Sequence, residues 1–372
     1  MLCVKDLSLQ EIEAFVKDLG FEPFRAKQIF YGIYANRVEN FESITTLPRE
    51  LKNILSEKFY ISSINSAKYE KATDGTIKFL FSLRNGSAVE SVFIPWDYGL
   101  KERRTLCVSS QVGCALGCAF CATGKLGLER NLSAGEIIDQ IFECEKITGE
   151  RLTNIVFMGM GEPLQNFQNL VKALEILTND FVKLFSRRNI TVSTAGIVPK
   201  IYDLAKIEKP VKLAVSLHSV FDDVRQKLMP VARKWSLKEV REAVVEYYRI
   251  TRIPITYEYI LFEGLNDGEE DARRLAKFAK AVPSKVNLIP FHRIDFMPLD
   301  DFARSLKPAS KEQILKFKSL LNSLGVRAFI RSSSGYEING ACGQLAFANL
   351  GNKNEWLKNF VKLQGNSFQK IE

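Results

Sequence analysis

The 372-residue chain is 46% hydrophobic and 26% charged, an ordinary globular composition that suits one large domain with appendages or two to three small ones. No run of about 18 uncharged apolar residues occurs, which excludes a transmembrane helix. Lys and Arg total 52 against 43 Asp and Glu, a net charge of +9 that fits a mildly basic soluble surface or a polyanionic partner such as nucleic acid.

The opening "MLCVKDLSLQEIEAFVKDLG" mixes acids with apolar residues, unlike a signal peptide, so a cytoplasmic protein with reduced thiols is expected. Two helices follow from "LSLQEIEAFVKDLG" and "EPFRAKQIFYGIYANRV", and a third from "LPRELKNILSEKFY". "TIKFLFSLRNGSAVESVFIP" then predicts a hairpin turning at "RNGS". Residues 1–95 therefore read as a separate accessory module, with Cys3 a frayed terminal residue.

From about residue 100 onward, β-rich apolar runs alternate with amphipathic helical patterns. The strands predicted are "TLCVSS", "TNIVFMGMG", "RNITVSTAG", "VKLAVSLHS", "ITYEYILFEG", "KVNLIPFH" and "VRAFIRSS", most of them without strict alternation, as strands buried on both faces should be. "SAGE" (133–136), "SLKE" (236–239) and "SKEQ" (310–313) place Ser three residues before Glu or Gln, the pattern of a capping box. Strand and helix in regular alternation predict an α/β fold over residues 96–350, a partial (β/α)6 barrel, with residues 351–372 a helical tail. Cys144, on the capped helix, should face the core.

"TLCVSSQVGCALGCAFCATGK" crowds four of the seven cysteines into one stretch. Cys114, Cys118 and Cys121 form C-x3-C-x2-C, three thiolates on one loop that can wrap a cubane iron–sulfur cluster and leave one iron open. Cys107 lies on a β-like segment seven residues earlier, a placement that suits a separate role. Two alternatives are a structural zinc site using all four thiols, although such sites normally use two separated C-x2-C pairs, and an electron carrier, which leaves the barrel unexplained.

C-x3-C-x2-C with Phe120 before the last Cys resembles the radical S-adenosylmethionine (SAM) superfamily. "LCVSSQVGCALGCAFCATG", "MGMGEPLQNF", "RNITVSTAGIVP", "LAVSLHS", "YEYILFEGLND", "VNLIPF" and "INGACGQL" occur in order, and together they resemble the RNA methyltransferase family RlmN/Cfr from about residue 10 to 350. The resemblance implies a 4Fe-4S cluster on Cys114, Cys118 and Cys121, and two SAM molecules per turnover. It implies SAM contacts from Gly161, Glu162, Ser193, Ser216, Leu217 and His218, and from His292, which stands where relatives carry Asn.

By the same resemblance, Cys342 accepts a methyl group from a first SAM, and the deoxyadenosyl radical from a second removes hydrogen from it. The methylene radical adds to an adenine carbon, Glu90 takes the proton, and Cys107 resolves the protein–RNA adduct by forming a disulfide with Cys342. The substrates implied are 23S rRNA at the peptidyl transferase centre and adenine 37 of tRNA, methylated at C2, with an electron donor such as flavodoxin and a monomeric enzyme. "YEINGACGQL" departs from the "DIDAACGQL" usual in the RlmN branch and leans toward Cfr-like C8 methylation. A non-catalytic iron–sulfur or zinc protein that binds RNA is the alternative of a different class.

Overall fold

The computed structural model describes residues 1–98, 101–331 and 333–346. The expected tail at 351–372 lies outside them. Ten strands form one sheet: β1 (Ile64–Lys71), β2 (Ile77–Leu83), β3 (Ala88–Tyr98), β4 (Lys101–Cys107), β5 (Asn154–Phe157), β6 (Ile190–Thr194), β7 (Lys212–Ser216), β8 (Ile255–Leu261), β9 (Ser284–Pro290) and β10 (Ala328–Ile330). Strands β4 to β10 are parallel neighbours in chain order, the six crossovers of the expected partial barrel.

The crossovers carry α4 (Ala134–Thr148), α5 (Phe167–Leu177), α6 (Val198–Ala205), α7 (Leu237–Thr251), α8 (Glu269–Ala279) and α9 (Lys311–Ser323). Capping boxes at Ser133–Glu136, Ser236–Glu239 and Ser310–Gln313 open α4, α7 and α9 as their sequences require, each satisfying two amides that a helix leaves unpaired. Between sheet and helices lies a core of fully buried side chains, among them Leu106, Ile155, Val192, Leu213, Tyr257 and Leu288. Each large aliphatic or aromatic side chain there contributes roughly 1.5–3 kcal/mol by leaving water.

The accessory module is less separate than its sequence suggests. Helices α1 (Leu9–Asp18), α2 (Phe24–Tyr34) and α3 (Arg49–Lys58) form as expected, and β2 and β3 pair antiparallel around the turn. That hairpin continues the barrel sheet, however: β3 pairs antiparallel with β4, which pairs parallel with β5. The expected boundary at residue 95 falls inside β3. An exposed edge of a parallel sheet offers unpaired amides and carbonyls, and the meander β1–β3 covers that edge.

Cys3 is not frayed. It is 1% exposed, Leu2–Cys3 pairs with Phe59–Tyr60, and the Ser63 hydroxyl lies 3.2 Å from its sulfur. The segment is anchored to α4 by the buried Lys5–Asp139 ion pair and by a 2.8 Å bond from the Gly135 amide to Asp6 Oδ1. Cys144 is fully buried on α4, as expected.

Candidate active site

The strand ends at the C-terminal mouth of the barrel surround one cleft, the position where barrel active sites sit. Cys114, Cys118, Cys121, Gly161, Glu162, Ser193, Ser216, His218 and Cys342 all line it. Cys107, Glu90, Leu217 and His292 do not, although the first two lie close behind its wall.

The cysteine loop leaves the short strand Gln111–Gly113 and ends in the turn Ala122–Lys125. Burial pushes the Cys114 thiol up to about 12 and Cys118 well above its usual value, and the neighbouring thiolates add to both. Bare thiolates are therefore disfavoured unless a cation shares their charge. Among the described residues, no three His, Cys, Asp or Glu side chains close on a point that would hold a single metal ion. The three thiols stand around a cleft that is open toward Glu162, Ser193 and His218, a donor set that fits a thiolate-bound iron–sulfur cluster with one coordination position free.

Glu162 follows β5. Its Oε2 accepts from the Ala195 amide at 2.7 Å and its Oε1 from the Leu164 amide at 3.0 Å. Burial raises its carboxyl to about 7, and the two amides pull it back down. Each oxygen keeps a second lone pair for a ligand ammonium. Gly161, at φ +97, is needed for a local reason: a Cβ there would stand 2.5 Å from the Gln111 side chain, whose Oε1 accepts from the Glu162 amide. Gly161 thus lines the cleft and also lets the backbone approach Gln111 closely.

His218 adopts φ +56, and its Nδ1 accepts from the Ile260 amide at 3.0 Å, so a neutral ring carries its proton on Nε2. Burial first, and then the Arg225 charge, lower its pKa to about 3. Leu217 contributes main chain: its amide donates to Glu258 O at 3.0 Å and its carbonyl accepts from Arg225 Nε at 3.1 Å. Fully buried Arg225 also donates to Ala195 O at 2.7 Å, tying the turn after β6 to the turn after β7. His292 lies outside the cleft, with Nε2 2.8 Å from Ser333 Oγ and its ring 4.5 Å from that of Tyr336.

The segment bearing Cys342 is sewn onto the cysteine loop. The Ala122 amide donates to Gly343 O at 2.7 Å, and Thr123 Oγ1 donates to Leu345 O at 2.6 Å. Further upstream, the Gly335 amide donates to Asp74 Oδ2 at 3.0 Å, so the 333–342 segment reaches across to the β1–β2 turn and spans the open side of the barrel. Cys342 and Cys107 are thereby brought within electrostatic reach: burial, then the Cys342 charge, raise the Cys107 thiol to about 12, while Arg331 opposes them. All seven cysteines are free.

Glu90 lies on β3 two residues before Val92, which pairs with Cys107, so Glu90 and Cys107 face the same side of the sheet. Its Oε1 stands 3.6 Å from Lys78 Nζ, and both side chains are buried. Two wall residues, Arg331 and Glu258, and Asn287 bonded to the second of them, escaped sequence reasoning. Arg331 Nη1 lies 3.6 Å from Glu258 Oε2, and Glu258 Oε1 accepts from Asn287 at 2.9 Å. Only strand alternation hinted at them: Glu258 and Asn287 pair across β8 and β9 on the face that also carries Ile260 and Ile289.

Two family descriptions match the chain: the radical SAM superfamily over residues 108–276, and the ribosomal RNA large subunit methyltransferase N-terminal domain over residues 4–61. A radical SAM methyltransferase from Sphaerobacter thermophilus superposes with a TM-score of 0.84 at 38% identity, covering 93% of this chain and 99% of that one. The dual-specificity RNA methyltransferase RlmN of Syntrophobacter fumaroxidans is 43% identical over 92% of this chain and 98% of its own. A probable RlmN from Akkermansia muciniphila is 43% identical over 90% and 93%.

The chain belongs to the RlmN family of radical SAM RNA methyltransferases.

Family membership implies a 4Fe-4S cluster and SAM. The chain places its three loop cysteines and its strand-end Glu162, Ser193, Ser216 and His218 around a single cleft. Among the described residues no helix is long and apolar enough to cross a membrane.

Proposed function

We propose that this enzyme methylates C2 of an adenine in 23S rRNA and of adenine 37 in tRNA, working through a methylated Cys342. The observation that carries this reading is the juxtaposition of Cys342, on the cleft wall, with Cys107 just behind it. One thiol alone could accept a methyl group; a second at its back permits release. When bound, the cluster supplies the electron that cleaves SAM to a 5′-deoxyadenosyl radical.

The chain's own residues divide the remaining work. The Cys342 thiolate attacks the methyl carbon of a SAM sulfonium and displaces S-adenosylhomocysteine, a step for which sulfur is the right nucleophile. Glu162, Ser193, Ser216 and His218 orient SAM at the strand ends. Once the base is bonded through carbon to Cys342, Glu90 accepts the proton that its ring must lose, and the Cys107 thiolate attacks the Cys342 sulfur. The S–CH2 carbon that bonds to the base arises when the deoxyadenosyl radical takes a hydrogen atom from the S-methyl group. On resolution the S–C bond breaks, the disulfide forms, and the freed carbon takes a proton to become the methyl group. The odd electron returns to the redox partner that supplied it, and the methylated base leaves. Phosphate contacts from the basic surface position the RNA, and the base is extruded into the cleft. A flavodoxin-type electron donor and a monomeric enzyme complete the proposal.

Regiochemistry is the specific point under test. The motif resemblance to the RlmN branch supports C2, whereas "YEINGACGQL" favours the Cfr-like C8 outcome. Incubation with SAM, a reductant and an rRNA fragment, followed by nuclease digestion and mass spectrometry, should yield 2-methyladenosine. Appearance of 8-methyladenosine alone overturns the C2 assignment.

A further inference from the structure

The opposite, N-terminal mouth of the barrel also gathers chemistry. Strand parity fixes which side chains face inward: Ser216 on β7, Ile289 on β9 and Arg331 after β10 all line the catalytic cleft. Four residues earlier on each strand, on the same face, stand Lys212, Lys285 and Arg327. On β4, Arg103 occupies the matching place four residues before Cys107. Four cations on four strands thus ring the floor of the barrel.

These charges act on one another, and one carboxylate, Glu258, acts on Lys285. None of the four makes a salt bridge among the described residues. Arg103, Lys285 and Arg327 are exposed, and Lys212 is half-buried. Burial, then the charges of Arg103 and Lys285, depress the Lys212 ammonium. Partial desolvation of its ammonium end likewise depresses Lys285, although the residue as a whole is exposed; Glu258 opposes it, and Arg103, Arg331 and Arg327 reinforce it. Phe329, on β10 and 50% exposed, has the Lys285 ammonium 6.0 Å from its ring centroid.

Converging like charges raise the energy of a folded protein unless an anion occupies the space between them. An exposed aromatic ring beside such a cluster adds a platform on which a base can stack. We propose that the N-terminal mouth of the barrel binds a nucleotide unit, its phosphates held by Arg103, Lys212, Lys285 and Arg327 and its base stacked on Phe329. The site is separate from the SAM cleft and independent of the regiochemistry there. A nucleotide of this kind can come from a single-stranded stretch of the RNA substrate or from a free nucleoside triphosphate.

The test uses the full-length cluster-loaded enzyme, labelled oligouridylate, ATP and inorganic tripolyphosphate as probes, and the variants K212Q/K285Q and F329A. A K311Q/K316Q variant, which removes two exposed lysines from α9, is the control. K212Q/K285Q should weaken oligouridylate or ATP binding by about tenfold and flatten its salt dependence, while the control binds as wild type. F329A should weaken the probes that carry a base and leave tripolyphosphate unaffected. Oligouridylate binding that ATP cannot displace identifies RNA as the source, and ATP binding that oligouridylate cannot displace identifies a free nucleotide.

Thermal melts give a second readout that does not depend on the labelled probe. Removing the repulsion should leave the Tm of K212Q/K285Q equal to or above that of wild type, and tripolyphosphate should raise the Tm of wild type alone. Equal binding by wild type and K212Q/K285Q, or an equal loss in the α9 control, overturns the proposal.

Discussion

The Ala122 amide donates a 2.7 Å hydrogen bond to the Gly343 carbonyl, so the residue after Cys121 is tied to the residue after Cys342. One bond thereby sets the distance between the candidate cluster loop and the candidate methyl carrier, across more than half of the chain. Gly343 is suited to this contact by its φ of +84, and a Cβ on it would stand 3.2 Å from Phe120 O.

Gly343→Ala should therefore disturb the cleft without removing a ligand. The strained backbone costs about 1–2 kcal/mol, and the Cβ pushes the Cys342 segment off the loop. We expect iron content near that of wild type, with RNA methylation reduced at least about tenfold at the same protein concentration. A variant that loses its iron as well would show that this segment supports the cysteine loop itself.

Alanine at Cys114, Cys118 or Cys121 should abolish both the visible iron–sulfur absorbance and SAM cleavage, because two thiolates leave the cluster under-ligated. Iron analysis of anaerobic preparations is the check. Full iron in any one of the three variants would remove that residue from the ligand set.

Cys107 and Cys342 should fail differently. Cys342→Ala removes the acceptor, so no methyl group should appear on protein or RNA. Cys107→Ala should still accept the methyl group and attack RNA, then stall as a covalent adduct. A denaturing gel should show it as a band shift that nuclease collapses. Iron loss without an adduct would instead make Cys107 a fourth ligand, and normal turnover would mean that another thiol resolves the adduct.

His218 predicts a pH dependence of stability. Its folded pKa of about 3 lies below the usual 6.5, because burial disfavours the charged ring. The neutral side chain contributes fully above 6.5, and that contribution is lost as pH falls from 6.5 toward 3, because the unfolded chain then takes up a proton that the native state refuses. Between pH 6.5 and 5 wild type should lose about 2 kcal/mol relative to His218→Gln, a side chain that can still accept from Ile260 but does not titrate. Parallel urea-unfolding curves across that range would contradict a buried neutral His218.

Salt should weaken RNA binding steeply, since the net charge of +9 acts through counterion release. Filter binding between low and moderate salt measures the slope. A flat response would assign affinity to base contacts and shape.

Much of this was legible in the chain because it is local. The seven parallel strands and three capping boxes follow from runs of apolar residues and from Ser–Glu or Ser–Gln spacings that act over one helical turn. The C-x3-C-x2-C loop sets its own thiols side by side, whatever surrounds it. Only the tertiary structure decided what depends on strand register. It merged the β1–β3 meander with the barrel because a sheet edge pairs with whichever strand reaches it. It buried Cys3 against Ser63 and set His292 against Ser333 and Tyr336. It brought Cys342 within electrostatic reach of Cys107 and set four strand-start cations around one mouth, because closing a barrel turns residues far apart in sequence toward a common axis.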